Sequence, residues 1–78
     1  MPIRIRNHLQ AIRKRQGWTQ NQLAHMFGVT RKTIWHWEHQ ETLPKLEIVM
    51  GLAKVFDTEV HLMFEPVEEK GDNEDELS

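Results

Sequence analysis

Apolar residues recur along the first two thirds of the chain at intervals of three and four, the repeat of helices that each bury one face. Ile5, Leu9 and Ile12, extended by the aliphatic stem of Gln16, define a first helix, and Gly17 stands where a helix ends on a left-handed residue. A second, very short helix follows: Thr19 can cap it, Leu23, Ala24 and Phe27 form its stripe, and Gly28 stops it. Thr30 caps a third segment with Ile34 and Trp37 on one face. That segment must end before Thr42-Leu43-Pro44, because proline cannot continue a helix. The fourth helix carries two adjoining apolar faces, Leu46, Val49, Leu52, Ala53 and Phe56 on one side and Ile48, Leu52 and Val55 on the other. One face closes the domain core, which leaves the other open to a second subunit.

Beyond Asp57 the period changes. Val60, Leu62 and Phe64 alternate with Glu59, His61 and Met63, which predicts a strand ended by Pro66. A lone strand leaves its backbone groups without partners, and the pattern offers no other strand in the chain. The expectation is a homodimer in which this strand pairs with its own copy, with Ile48, Val55, Val60, Leu62 and Phe64 in the interface. The fold class read from the pattern is mainly α, with four helices and one short C-terminal β-strand pairing across the dimer.

Composition narrows this further. A chain of 78 residues holds one domain at most, and without cysteine it has neither a disulfide framework nor a thiolate metal cage. It contains no apolar run of about 18 residues that could span a bilayer, and Met1 to Arg6 lacks the apolar stretch of a signal peptide. The expectation is a soluble, cytoplasmic protein with no membrane partner. The net charge of -2 hides a segregation: residues 1–64 hold nine Lys and Arg against five acids, whereas residues 65–78 hold one Lys against seven acids. The body is therefore basic. A domain over residues 1–65 is expected, followed by an acidic, disordered tail over 66–78.

Two short helices joined by Phe27-Gly28-Val29, with the small Ala24 where they must approach, have the geometry of a helix-turn-helix. With Ile34 pointing inward and about 100° between residues, Trp37 and Glu38 fall on Ile34's side, while Lys32 and His36 point away from the core. Arg31 sits on the first turn, where the second helix of this motif meets base edges, and Trp35 flanks it. Trp35 has three readings: a contact to a thymine methyl or a sugar, a dimer contact, or an exposed ring with no role. Arg4, Arg6, Arg13, Lys14 and Arg15 form either a solvated helix face or a phosphate-facing stripe, with Arg13 assigned inward. His39 and Thr42 can donate hydrogen bonds to phosphate oxygens, which Glu41 would repel.

The segment GWTQNQLAHMFGVTRKTIWHWE resembles the XRE-type, or Cro/CI-type, helix-turn-helix signature: TQ, then LA, then G-V-T, then I with WE at the end. The resemblance covers roughly residues 4–57 and implies a lambda-repressor-like domain that binds an operator in double-stranded DNA and represses transcription. It implies that Gln20 contacts backbone phosphate and orients the recognition-helix side chains. Arg31, Lys32 and His36 match the family's base readers, and Arg13 and Glu38 match its internal ion pair. Thr30 and Thr33 complete the expected DNA contacts. Two positions depart from the pattern: Trp35 replaces a small or polar residue, and Gln40-Glu41 replaces a frequent Gly-Lys. The C-terminal run AKVFDTEVHLMFEP, with Gly17-Trp18, is similar to the HipB-type antitoxins, which implies a cognate toxin as a second protein partner.

Other chemistry finds little support. Five histidines lack the spacing of a zinc site, so no metal and no cofactor is expected. An enzyme is not expected either: there is no cysteine or tyrosine, no glycine-rich phosphate loop, and no Ser/His/acid set. Trp37 reads as core. The alternative to DNA binding is a protein-interaction module that neutralises a toxin or contacts RNA polymerase.

Overall fold

The computed structural model describes residues 3–68. Their order is β1 (Ile3–Asn7), α1 (Leu9–Arg15), α2 (Gln20–Phe27), α3 (Arg31–Glu38), α4 (Leu46–Val55), α5 (Val60–Met63) and β2 (Phe64–Glu68). The mainly α reading and the helix-turn-helix at α2 and α3 hold. The two ends of the pattern do not.

The first helix starts at Leu9 rather than Ile5. Ile3, Arg4, Ile5 and Arg6 alternate, and they form a strand paired antiparallel with β2, Ile3 facing Glu68 and Asn7 facing Phe64. Asn7 makes the change from strand to helix: its Oδ1 accepts the Leu9 N–H at 2.7 Å, satisfying a donor of the first turn. Of the strand expected over Val60–Phe64, Val60–Met63 form one turn of helix instead, with Met63 fully buried and Leu62 half exposed. The strand proper begins at Phe64 and runs through Pro66, which was expected to end it. In a two-stranded sheet each strand keeps one open edge, so a proline there removes no ladder hydrogen bond.

These corrections remove the ground for a strand shared between subunits. Its backbone partners are supplied within the chain, by β1. The fold has five helices and two strands among the described residues, not four helices and one strand. Of the expected acidic tail, Pro66–Glu68 belong to β2, and residues 69–78 lie outside the described residues.

The core is continuous across all the helices. Leu9 and Ile12 of α1, Leu23 and Ala24 of α2, Ile34 and Trp37 of α3, Leu52 of α4, then Phe56 and Met63, form one buried cluster. Trp18 meets Phe56 edge-on, with ring centroids 6.4 Å apart. Gly51 lets α4 lie against α2, since a Cβ there would come within 2.8 Å of the Phe27 ring. The uncovered side of α4 differs from expectation. Ile48 and Val55 pack partly buried against their own core, whereas Leu46 and Met50, four residues apart, are 72% and 60% exposed.

Four helices end in the same way. After α1, α2, α3 and α4 the chain turns through a positive φ at Gly17, Gly28, Gln40 and Asp57. At each turn that residue's N–H and the next one reach back to carbonyls of the last helical turn, for example Gln40 to Trp37 at 3.2 Å and Glu41 to His36 at 2.9 Å. Two of the four turns place a side chain in a conformation that favours glycine.

Candidate nucleic-acid interface

The sequence builds α2 and α3 by the same device. Thr19 accepts the Gln22 N–H at 3.0 Å while the Gln22 side chain accepts the Thr19 N–H at 2.9 Å, a complete capping box. Thr30 caps α3 through the Thr33 N–H at 3.2 Å. Gly28, with φ of 67°, turns the chain between them. Both helix starts are thereby fixed, and the side chains of the first turn of α3 have a defined direction.

Behind that turn runs a polar relay. Glu38, whose side chain is fully buried, accepts Arg13 Nε–H at 2.5 Å and an Arg13 Nη2–H at 3.2 Å. Arg13 also donates to the Trp18 carbonyl at 2.8 Å, so its guanidinium is used on three sides. The same carboxylate accepts Gln20 Nε2–H at 3.0 Å. A carboxylate can only accept, so this bond forces the amide oxygen of Gln20 outward. There it accepts an Arg31 Nη1–H at 3.1 Å. One buried anion thus sets the amide orientation of Gln20, and Gln20 in turn places Arg31 on the surface.

Arg13, Trp18, Thr19, Gln20, Asn21 and Arg31 line a shallow depression of about 330 Å³. The N–H groups of Gln20 and Asn21 belong to the first turn of α2, where a helix cannot satisfy its own donors. The depression therefore combines helix-terminal donors with a guanidinium, a combination suited to an anionic oxygen.

The remaining sequence-chosen residues divide. Arg31, Lys32, Trp35 and His39 are exposed, and His36 is partly so, along one arc of α3. Thr33 lies on the other side, half-buried beside Val29, Trp37 and Ile48 in an apolar groove, with its hydroxyl 3.0 Å from that of Thr30. Thr42 is exposed in the following turn. His36 Nδ1 lies 2.7 Å from Glu41, which brings an acid against the outward face.

Residues that sequence reasoning missed fasten the two strands to the helical body. Asn7 donates its side-chain N–H to the Trp37 carbonyl, and its backbone N–H is accepted by Gln40 Oε1 at 2.9 Å. The end of β1 is therefore fastened to the end of α3. His8 anchors the other partner, its N–H meeting the Met63 carbonyl at 2.8 Å and its ring meeting Glu65 at 3.0 Å. The Glu65 carboxyl is held below its ordinary range by the hydrogen bond from His8, with the nearby charges of His8 and Arg6 acting the same way against partial desolvation. The one signal available in sequence was Asn7 itself, a capping residue just ahead of Leu9.

The capped helix pair, the left-handed turn between them and the outward cationic first turn of α3 define a helix-turn-helix domain. The chain belongs to the XRE-type helix-turn-helix family, whose Helix-turn-helix model matches residues 9–62. It is 32% identical over 56 residues to a Thermococcus kodakarensis protein whose name is that of an HTH-type transcriptional regulatory protein; the match covers 70% of this chain and 18% of the relative. A similarly named Pyrococcus horikoshii protein is 35% identical over 49 residues, covering 63% of this chain and 16% of the relative. One from Pyrococcus abyssi is 33% identical over 49 residues, with the same shares. The chain thus spans less than a fifth of the length of these relatives. Among the described residues no helix is long and apolar enough to cross a membrane.

Proposed function

We propose that the chain binds double-stranded DNA sequence-specifically, as a homodimer on an inverted-repeat operator, and represses transcription from it. The observation that carries this reading is the relay from Arg13 through Glu38 and Gln20 to Arg31, which holds a cation on the outward face of α3 in the free protein. Arg31, Lys32 and His36 read base edges. Gln20, Thr30 and the first-turn donors of α2 face phosphates, with His39 and Thr42 beyond them. Names of relatives as transcriptional regulatory proteins support the same reading.

Dimerisation supplies the second half-site, with recognition helices about 34 Å apart, one turn of DNA. Its apolar surface is drawn from the exposed side chains: Val60 and Leu62 on α5, Leu46 and Met50 on α4, and Leu43 in the turn before it. In its finer form the protein is the antitoxin and autorepressor of a toxin–antitoxin pair, a reading supported by the Gly17-Trp18 opening of the motif.

The same apolar surface favours a second reading, in which a protein partner replaces DNA. Titration of labelled duplex across a range of salt concentrations separates the two. A DNA-binding dimer that neutralises four or more phosphates gives a slope of log affinity against log salt on the order of -4. Sequence selection from random duplex should yield an inverted repeat, and sedimentation should show a dimer that Leu46→Glu disrupts. Weak binding without sequence preference at low salt, with a shallow slope, refutes the DNA reading.

A further inference from the structure

Trp35 is unusual in its position. It lies on the outer arc of α3, between Arg31 and Lys32 in angle and one turn further along the helix, and it is 38% exposed. A single exposed ring is ordinary in itself; what sets Trp35 apart is its surroundings. The ring is also held in place. His39 stacks on it with centroids 3.8 Å apart and planes 18° from parallel, and His36 meets it edge-on at 5.4 Å and 84°. Both histidines are anchored in turn, His39 Nδ1 to the Trp35 carbonyl at 2.8 Å and His36 Nδ1 to Glu41 at 2.7 Å. The indole is thus ordered before any ligand arrives, and binding need not restrict it further.

Its chemistry limits what it can distinguish. An indole offers one N–H donor, no acceptor, and a broad apolar surface. Both purines present N7 as an acceptor in the major groove, so the N–H does not separate them. The group that an apolar surface separates is the C5 methyl, which thymine alone of the four bases carries. The flanking Arg31 and Lys32 match a polyanion, and the exposed apolar side chains suited to a second copy lie off α3: Leu46 and Met50 on α4, Val60 and Leu62 on α5, and Leu43 in the turn before α4.

We propose that Trp35, clamped by His39, is a specificity-determining residue that reads a thymine methyl in the major groove. This rests on the DNA-binding reading above and extends it to one base feature. The test uses the full chain and a duplex selected from random sequence, with each thymine in turn replaced by deoxyuridine, which lacks only the methyl. For the parent, one such replacement per half-site should weaken binding about fourfold, the effect of one buried methyl at about 0.8 kcal/mol. Trp35→Ala should bind the thymine and deoxyuridine duplexes equally, and Trp35→Leu should keep part of the difference. Both side chains are surface replacements, and circular dichroism checks that the fold is kept.

A deoxyuridine penalty that survives in Trp35→Ala overturns the proposal, as does a parent insensitive to every replacement or a selected half-site without thymine. A Trp35→Ala variant that becomes monomeric places Trp35 at the dimer contact and also overturns it. If no duplex is selected at all, the DNA-binding reading itself has failed, an outcome distinct from each of these.

Discussion

Truncating Glu38 to alanine removes an acceptor that three donors share, two from Arg13 and one from Gln20. The Arg13 side chain is 7% exposed, and after the substitution the Trp18 carbonyl is its remaining partner among the described residues. An unpaired buried charge of this kind costs about 3 to 5 kcal/mol. Small domains of this length have a total stability of about 0.05 to 0.15 kcal/mol per residue, so the loss is a large share of the whole. Arg13→Ala should cost a similar amount, because it leaves the Glu38 carboxylate buried beside Gln20 alone. Once one partner is gone the other is a liability, so the double variant should cost little more than either single one, a coupling close to the cost of one single variant, about 3 to 5 kcal/mol. Urea denaturation of the four proteins measures this directly. A volume-matched apolar pair, Arg13→Met with Glu38→Leu, should be near neutral in stability. It should still weaken DNA binding, because the Gln20 amide loses the carboxylate that orients it and Arg31 loses its fixed support. Additive costs below about 1 kcal/mol for the single variants would refute the account of a buried, stability-determining pair, as would full operator affinity in the apolar pair for the relay.

Other expectations follow from the same geometry. Asp57→Gly should raise stability by up to about 1 kcal/mol by relieving a side chain held at φ of 52°, read as a higher melting temperature. Gln40→Gly relieves a φ of 62° but loses the hydrogen bond to the Asn7 N–H, so its gain should be smaller than that of Asp57→Gly, and an equal gain would mean the bond contributes nothing. Glu65 titrates below its ordinary value of 4.5 in the folded state, so its contribution is present above that pH and is lost as pH falls through the folded value. Amide resonances of β1 followed by NMR between pH 5 and about 2 should show that loosening, and Glu65→Gln should abolish the pH dependence. Arg31→Ala should weaken operator binding by about 1 to 3 kcal/mol and relax base preference, checked by footprinting on selected operators.

What sequence revealed was local. Thr19, Thr30, Gly17 and Gly28 mark helix ends through interactions within a few residues, and each stands where the pattern put it. Ile34 and Trp37 are core because their helix face is decided by spacing alone. The ion pair of Arg13 and Glu38 was legible only through family resemblance, since 25 residues separate its members. For a related reason β1 was read as the start of a helix and β2 was placed too early. Ile5, Leu9 and Ile12 fit helical spacing as well as Ile3 to Arg6 fit a twofold one, and what decides is a partner 57 to 65 positions away. Val60, Leu62 and Phe64 alternate, yet Met63 is the residue buried, because the segment coils into a helical turn in which alternation no longer decides which side chain faces the core. Glu65, Pro66 and Glu68 carry poor strand propensity, and no reading of β2 in isolation would favour it.

The pairing of Ile3 with Glu68 and Asn7 with Phe64 has a kinetic meaning. It closes a loop that contains the whole helical body, and such a closure is the slowest kind of contact for a chain to find, because its entropy is spent before its hydrogen bonds form. The helices assemble through near neighbours; the ribbon should knit last, starting from the Asn7 end, where His8 and Met63 already hold the backbones together. In the native state the order reverses. Amide exchange should find the Ile3 end opening first and on its own, while Leu23, Ile34 and Leu52 exchange only when the molecule unfolds as a whole.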